Sequence, residues 1–323
     1  MRGSGCVRTK RVPYYLGIDG GGTKTTCAVG DESRVLAVAT AGPSNVVRVG
    51  QERARESLQN SVRQACAAAG ITPDEVARTC IGGSGAGRVE IAESVRRVLA
   101  EIVPTPIDVV GDMQTALEAA FESSHGVVVN AGTGSFAYGR SRDGRTARAG
   151  GWGFAISDEG SAHWIGRQTV SAALRGADQQ KNSDDREQFE NSPLVSALMR
   201  AWGVHSLLDL ARAANAVPPP DFSALFRAVA STDSAIASKV LESAGRELAQ
   251  LAVVVIERLF PADDASPVRV AITGGVFRHA ALVREVFYTE LGRIEPRAEV
   301  NQNIVDSVEG ALRLARRAAK VSA

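Results

Sequence analysis

The sequence predicts an α/β protein with two domains, and three observations support this prediction. The chain has 323 residues, enough for about two domains of ordinary size, and its 44% hydrophobic content supports substantial cores. The first half alternates strand-like and helix-like segments after an initial β-meander. A glycine-rich hairpin pattern at residues 16–30 returns at residues 126–140, which indicates that the second half begins as the first does.

Turn residues bound each element of the first half. Two strands within residues 16–30 flank a glycine turn, and the next strand ends at Gly42. A helix-like pattern fills residues 51–69, where Gly70 stops it. The other predicted elements of this half are a strand at 77–83, a helix at 89–99, a strand at 106–111 and a helix at 114–121.

The second half becomes mostly helical from Glu159 onward. Apolar residues recur at helical spacing from Ile236 to Leu259, which predicts one long core helix. The polar run at 179–188 and the proline run at 217–220 are predicted as surface loops. The last predicted elements are a strand at 268–273, a helix at 278–291 and a terminal helix at 306–319.

Charge and cysteine content narrow the functional classes. The chain has 37 Lys and Arg against 36 Asp and Glu, with no concentrated basic face, so a nucleic-acid partner is not expected. Its four cysteines include no CxxC pair, which favours a reducing cytosol over a zinc site or a disulfide framework. No run approaches the roughly 18 apolar residues of a membrane span, and residues 1–13 are expected to form a disordered tail.

The first glycine turn is the most informative local feature. Three glycines, Gly20 to Gly22, stand between Asp19 and the polar residues Thr23, Lys24 and Thr25. Glycines allow backbone N–H groups to converge on an anion, which is typical of a phosphate site. The turn joins two strands, so it fits neither a Walker A loop nor a dinucleotide fingerprint, both of which precede a helix. Alone, it is equally compatible with an ordinary tight turn.

Two further glycine segments change that balance. The second hairpin contains Gly132, Thr133, Gly134 and Ser135, and a third turn between a strand and a helix contains Thr273, Gly274 and Gly275. With GIDGGGTKT, GPSN, GAGR, AGTGS, GGWGFAISDEGSAHWIG and ITGGV, the sequence resembles the N-acetylglucosamine kinase and BadF/BadG/BcrA/BcrD ATPase family. This family belongs to the acetate and sugar kinase, Hsp70 and actin superfamily, and the resemblance extends from Tyr15 to Ala319.

The resemblance implies a fold and a division into domains. It implies duplicated ribonuclease H-like, actin-like ATPase domains with mixed five-stranded sheets, flanked by helices and separated by a cleft. One domain would comprise residues 14–121 plus 306–319, and the other residues 122–305, including a helical insertion. A homodimer is also compatible with the family.

The resemblance also implies roles for the glycine turns, with ATP and Mg²⁺ as cofactors. In the first turn, the amides of Gly20, Gly21 and Gly22 with Thr23, Lys24 and Thr25 would face phosphates, and Asp19 would organise hydrated Mg²⁺. Gly132, Thr133, Gly134 and Ser135 would form the second phosphate loop. Thr273, Gly274 and Gly275 would form the adenosine loop.

Asp112 is the predicted catalytic residue. It follows a predicted strand and precedes a predicted helix, and local sequence alone favours a helix N-cap at such a position. The resemblance instead implies that Asp112 takes the proton from a sugar hydroxyl. A carboxylate suits this role because phosphoryl transfer needs mainly positioning and charge neutralisation.

Sugar contacts are expected from short polar groups and one aromatic ring. By resemblance these are Asn45, Ser84, Gly150, Gly151, Trp152 and Asp158. The alternatives remain open: Asn45 is also a common turn residue, Ser84 lies in what is equally a connector, and Asp158 is also a plausible helix cap. Ser157 replaces the glycine that many members have before DEGS, which affects the expected backbone there, and His163 receives no role.

The expected function is an ATP-dependent amino-sugar kinase acting at O6 of N-acetylglucosamine or glucosamine. One alternative is an activator ATPase with a bridging iron–sulfur cluster, but that needs a cysteine near the second phosphate loop, and no cysteine follows Cys80. The other alternative is a sugar-responsive regulator without kinase activity. Such a regulator is expected to carry a DNA-binding helix-turn-helix, which the short tail does not accommodate.

Overall fold

A computed structural model describes residues 12–83, 85–218 and 220–321, and the chain divides into two compact units. Unit 1 ends at Glu122 and takes up the chain again at Ser307, whereas unit 2 is Ser123–Asp306. Of the predicted tail at residues 1–13, residues 1–11 lie outside the described residues. No helix in the described part of the chain is long and apolar enough to cross a membrane.

The regular elements alternate along the chain. The strands are β1 (Tyr14–Gly20), β2 (Thr25–Gly30), β3 (Val35–Ala41), β4 (Val76–Gly83), β5 (Ile107–Gly111), β6 (Gly126–Ala131), β7 (Ser135–Arg140), β8 (Thr146–Gly150), β9 (Val268–Thr273) and β10 (Ala298–Val305). The helices are α1 (Val46–Val49), α2 (Gln51–Ala69), α3 (Val89–Ala100), α4 (Asp112–Phe121), α5 (Ala162–Asp178), α6 (Ser183–Glu190), α7 (Pro193–Trp202), α8 (Leu207–Ala214), α9 (Phe226–Ser231), α10 (Ala235–Leu259), α11 (Gly275–His279), α12 (Ala281–Ile294) and α13 (Ser307–Val321).

Unit 1 is built on a mixed sheet with the order β3-β2-β1-β4-β5. The central β2 of the first three strands is antiparallel to both β1 and β3, and β4 and β5 run parallel to β1. Alternate residues of β1 point to opposite faces. Leu16 and Ile18 pack in one core with Leu58 of α2, and Tyr15 packs in another with Leu312 of α13.

Helix α13 lies directly on β1 because a glycine makes room for its backbone. A Cβ added at Gly17 would come within 2.7 Å of the Cα of Leu312. The C-terminal helix is therefore part of unit 1, although unit 2 separates it from the other elements of unit 1 in the sequence.

Unit 2 repeats the sheet of unit 1 and adds helices. Its order is β10-β9-β6-β7-β8, in which β7 is antiparallel to both β6 and β8, β9 is parallel to β6, and β10 is parallel to β9. The long helix predicted from apolar spacing is α10, whose buried residues Leu248, Val255 and Ile256 belong to the core of this unit.

The structure differs from the predicted elements in five places. The polar run at 179–188 is not a loop throughout, because α6 begins at Ser183 with Asn182 as its N-cap and buries no residue. The strands β8 and β10 were not predicted, and both are sheet edges. The helix predicted at 278–291 is two helices, α11 and α12, which are separated at Ala280. The short helix α1 was also missed.

Candidate active site

The first glycine turn is closed by one backbone hydrogen bond. Gly20 ends β1, and the amide of Gly21 donates to the carbonyl of Lys24 at 3.0 Å. A Cβ on Gly20 would lie 3.0 Å from Ser44 Oγ, and one on Gly21 would lie 2.9 Å from the Lys24 carbonyl. Glycine is therefore required here by close approach as well as by the turn itself. Thr23 and Lys24 are exposed at its tip.

Two hydrogen bonds connect the segment that carries Asn45 to the first glycine turn and the strand that follows it. Thr25 is fully buried and donates from Oγ1 to the carbonyl of Gly42 at 2.7 Å, and the amide of Ser44 donates to the carbonyl of Gly21 at 3.2 Å. Within the described residues, the buried Ser44 Oγ has no hydrogen-bond partner. Thr25 thus supports the base of the turn, and an unused hydroxyl lies beside Gly20.

Asn45 caps a helix. Its Oδ1 accepts from the amides of Val47 at 3.1 Å and Arg48 at 3.3 Å, at the start of α1. The structure therefore shows the turn role that local sequence left open. The side chain is held at a fixed position beside the first glycine turn, because Ser44 links the two.

Asp19 and Asp112 lie at the same edge of the unit 1 sheet. Asp19 is in register with Gly82 of β4, and Gly83 is in register with Gly111 of β5, which directly precedes Asp112. Parallel neighbours are about 4.8 Å apart, and Asp112 lies two residues beyond the register partner of Asp19, so the two Cα atoms are separated by about 12 Å across two strand spacings. The carboxyl ends of three parallel strands thus bring both acids beside the first glycine turn.

Asp112 is the first residue of α4, and Gly111 is the N-cap. The Asp112 carboxylate accepts from the amide of Met113 at 3.0 Å, and Gln114 Oε1 accepts from the amide of Gly111 at 3.1 Å. Asp112 is half-buried. Gly111 and Gln114, rather than Asp112, therefore complete the cap of this helix.

The second glycine turn is held by the start of α5. The amide of Gly132 donates to the carbonyl of Gly134 at 2.9 Å, which closes the turn. The amides of Ala162 and His163 donate to the carbonyls of Gly132 and Thr133, at 2.9 and 3.4 Å. These bonds use amides in the first turn of α5 that would otherwise lack intrahelical partners.

Ser135 and Asp158 fasten the other side of the second turn. Ser135 is buried and donates from Oγ to the carbonyl of Glu159 at 2.6 Å. Asp158 is also buried, has φ +64°, and accepts from the amide of Gly153 at 3.3 Å. A Cβ at Gly134 would lie 2.7 Å from Asp158 Oδ2. The helix cap expected as an alternative at Asp158 is formed instead by Ser161, which accepts from the amide of Trp164.

The environment of Asp158 shifts the pKa of its carboxyl upward. Burial raises the pKa of this carboxyl, and the nearby Glu159 raises it further, although the amides of Gly153 and Ser135 act in the opposite direction. Ser157, at the position where glycine was expected, donates to Glu159 Oε2 at 2.9 Å. The residue with positive φ is thus Asp158 itself.

The residues before Asp158 form an exposed aromatic loop. Gly150 and Gly151 have φ +69° and +72°, and both turn the chain out of β8. Trp152 follows with 71% of its surface exposed, and the Arg148 guanidinium lies 4.6 Å from the centre of its ring. An exposed ring held by a cation is a suitable stacking surface for a small ligand.

The third glycine turn contacts the second one directly. Thr273 ends β9 and donates from Oγ1 to the carbonyl of Val305 at 2.8 Å. Gly274 has φ +105°, and a Cβ there would come within 2.9 Å of the amide nitrogen of Gly132. Gly275 begins α11, and a Cβ there would meet nothing within 4 Å. Unit 2 therefore brings two of the predicted turns together in backbone contact.

Two predicted features need separate mention. Ser84 lies outside the described residues. No group of three or more His, Cys, Asp or Glu in the described part of the chain could hold a metal ion by itself. Mg²⁺ in kinases is usually bound by one or two carboxylates and the substrate phosphates, so a half-buried Asp19 beside a glycine turn has the donor chemistry that such an ion needs.

Sequence reasoning missed the groups that hold the turns. Ser44 and the amides of Ala162 and His163 contact the first and second turns, yet none was assigned a role there. The GPSN segment contained the signal for Ser44, since it lies next to Asn45. Backbone amides carry no signal in side-chain identity, so the role of α5 required the structure.

A family model for the BadF/BadG/BcrA/BcrD ATPases matches residues 16–312. The chain belongs to this ATPase family. An N-acetylmuramic acid/N-acetylglucosamine kinase of Clostridium acetobutylicum is 31% identical over 312 residues, which cover 94% of this chain and 98% of that protein. A glucosamine kinase of Vibrio cholerae is 29% identical over 167 residues, which cover 51% of this chain and 56% of that protein.

Solved structures share the fold of this family member. A candidate N-acetylglucosamine kinase from Chromobacterium violaceum has a TM-score of 0.71 at 24% identity, covering 93% of this chain and 98% of that one. A ROK family glucokinase from Streptomyces griseus has a TM-score of 0.61 at 16% identity, covering 94% and 99%. With the repeated sheet order, these matches confirm the predicted fold of duplicated ribonuclease H-like domains.

Proposed function

We propose that this member of the BadF/BadG/BcrA/BcrD ATPase family is an ATP-dependent amino-sugar kinase, with N-acetylglucosamine or glucosamine as substrate and O6 as the acceptor. The observation that carries the proposal is the set of residues at one edge of the unit 1 sheet. There the first glycine turn, Asp19 and Asp112 come together at the carboxyl ends of parallel strands. The relatives named above as kinases of amino sugars support the substrate class.

ATP is assigned to the three glycine turns. The first turn offers the exposed Thr23 and Lys24, and in the second turn the carbonyls of Gly132 and Thr133 are already bonded to α5. Because these carbonyls point toward α5, the side of the turn that faces away from α5 is left to N–H groups, which suits phosphate oxygens. Thr273, Gly274 and Gly275 would lie against the nucleoside, because small residues let a ligand approach the backbone.

Mg²⁺ would be held by Asp19, with phosphate oxygens and water as its other ligands. When bound, it would neutralise charge on the phosphates. Asp112 would accept the proton of the attacking sugar hydroxyl. It is the first residue of the helix that follows the edge strand β5, and it is half-buried. In phosphoryl transfer such a base mainly orients the nucleophile, because little covalent chemistry is required of the protein.

Sugar binding is assigned to Asn45, Gly150, Gly151, Trp152 and Asp158, with Ser84 as a further predicted contact. Trp152 offers an exposed face, and Asn45 offers an amide held beside the first glycine turn. Asp158 is occupied with backbone amides, so its contribution to sugar binding would be shared with support of the second glycine turn. A cytosolic location and a homodimer stay predictions.

An ADP-release assay tests the proposed function. The purified chain is given ATP and Mg²⁺ with glucose, glucosamine, N-acetylglucosamine, N-acetylmuramate or N-acetylmannosamine in turn. Turnover of an amino sugar above the rate with glucose is expected, and NMR of the product identifies the phosphorylated hydroxyl. No turnover with any of the five sugars would contradict the proposal and favour an activator ATPase or a regulator.

A further inference from the structure

Helix α4, which begins with Asp112, starts at the edge of its sheet. It follows β5, which pairs within the described sheet with β4 on one side only. Pairing with one neighbour fixes the register of an edge strand. The orientation of the helix that follows the strand depends on other contacts. The position of the Asp112 carboxylate therefore depends on what holds α4.

One residue of α4 is in contact with two other elements at once. Thr115 is fully buried and donates from Oγ1 to the carbonyl of Asp112 at 3.0 Å. A Cβ added at Gly82 of β4 would lie 2.7 Å from Thr115 Cγ2. A Cβ added at Gly310 of α13 would collide with the Thr115 carbonyl and would lie 2.7 Å from the amide nitrogen of Ala119. Thr115 is thus enclosed by two glycines from elements far apart in the sequence.

The other end of α4 is fixed by α13. Glu118 is buried and forms two hydrogen bonds with the guanidinium of Arg317, at 2.8 and 3.1 Å. Arg313 donates to the carbonyl of Ala119 at 3.1 Å, near the C-terminal end of the helix. Cations at the last carbonyls of a helix also complement its dipole.

We propose that Thr115, enclosed by Gly82 and Gly310, is a positioning residue that sets the place of the Asp112 carboxylate. The inference rests on the proposed function, because it takes Asp112 as the base. Thr115 lies one helical turn after Asp112 and bonds to its carbonyl, so its side chain controls the backbone from which the carboxylate projects. A misplacement of about 1 Å at a reacting group lowers a rate by up to about a hundredfold.

Two variants of Thr115 separate positioning from simple stability. Thr115→Val keeps the volume and removes the hydroxyl, whereas Thr115→Ser keeps the hydroxyl and removes a methyl group. We expect Thr115→Val to lower kcat at least about tenfold while the KM values for ATP and sugar change less than about threefold. Thr115→Ser should retain kcat within about threefold, although the smaller side chain leaves a cavity and lowers Tm.

A matched control exists in unit 2. Thr169 is also fully buried and donates from Oγ1 to a helix carbonyl, that of Ile165, at 2.8 Å. Thr169→Val therefore removes the same kind of bond away from Asp112 and should leave kcat unchanged. Gly310→Ala, which pushes α13 from Thr115, should lower kcat like Thr115→Val; if it does not fold, the two Thr115 variants still decide the question.

The outcomes distinguish this inference from the proposed function. If the wild type is active and Thr115→Val keeps its kcat, or if activity follows Tm across the series, the positioning role is overturned while the kinase proposal stands. If the wild type phosphorylates no sugar, the kinase proposal fails and the positioning role fails with it. A loss of kcat in Thr115→Val with Thr115→Ser active supports the role.

Discussion

The Asp158 carboxylate lies against Gly134 so closely that a Cβ on Gly134 would come within 2.7 Å of Asp158 Oδ2. The two residues are 24 positions apart in the chain, yet they are in contact at the second glycine turn. The same carboxylate accepts from the amide of Gly153, so the contact joins the turn to the aromatic loop.

Gly134→Ala is expected to destabilise unit 2 and to raise the KM for ATP, because the new methyl group displaces either the turn or Asp158. Thermal unfolding and ATP titration measure the two effects. The double variant Gly134→Ala with Asp158→Gly should recover part of the lost Tm, since glycine removes the obstructing carboxylate and tolerates φ +64°. Strictly additive losses in Tm would show that the two side chains do not interact.

Asp112→Asn is expected to lower kcat by at least about a hundredfold while sugar binding is retained, because the amide has the shape of the carboxylate but does not accept a proton. Isothermal titration with sugar and an ADP-release assay separate binding from turnover. Asp108→Asn is the control on the same strand, because Asp108 pairs with Arg78 at 2.7 Å and should affect stability rather than kcat. Normal phosphorylation by Asp112→Asn would leave Asp112 as a structural residue at the helix start.

Arg317→Met is expected to lower the free energy of unfolding by about 3 kcal/mol, because it leaves the charge of Glu118 buried without its partner. The value is at the low end of the range since Arg317 is itself partly exposed. Arg246→Met is the control: its pair with Glu242 lies on the surface, and its loss should cost less than about 1 kcal/mol. Urea denaturation gives both values, and equal losses would contradict the prediction.

Glu295 is expected to make stability depend on acid pH. The Arg297 guanidinium, bonded to both carboxylate oxygens at 2.8 and 2.9 Å, lowers the pKa of Glu295 in the folded state. A lowered folded pKa gives stability that is complete above the unfolded pKa of about 4.3 and is lost as pH falls through the folded pKa. The pair with Glu295 also positions Arg297, whose guanidinium donates to the carbonyls of Pro261 and Asp264.

Glu295→Gln should therefore be less stable than the wild type at pH 6, and the difference should shrink as the pH is lowered through 4. Denaturant midpoints measured from pH 6 to pH 3 test this. Glu299→Gln, at an exposed glutamate on the neighbouring β10, serves as the control. A wild-type advantage that stays constant across the range would show that the carboxylate charge of Glu295 does not contribute.

The hairpins and the core helix were predictable from the sequence because their physical causes are local. Three glycines between apolar runs define the first turn, and apolar spacing defines α10. The helix α6 was not predictable, since none of its residues is fully buried and only Phe189 among its eight residues is apolar. The edge strand β10 was missed for a similar reason: its central residues are exposed, so no alternation of apolar residues marks it.

The candidate site was predictable as a set of residues but not as an arrangement. Motifs placed Asp112 between a strand and a helix, where the structure has it. They did not show that Gly134 meets Asp158, or that Gly310 meets Thr115 across 195 positions, because such contacts follow from how distant segments pack. Backbone bonds from α5 to the second turn were equally invisible, since every residue type except proline supplies the same amide.

The return of the chain to unit 1 has a consequence for the order in which the protein is made. Residues of unit 1 up to Glu122 leave the ribosome well before α13, whereas unit 2 is a continuous segment. During synthesis, β1 and α4 cannot contact Leu312, Gly310 and Arg317 until all of unit 2 has been translated. The half that contains Asp112 is therefore expected to mature last, and a ribosome that stalls before α13 would release a chain in which unit 2 alone has all its elements.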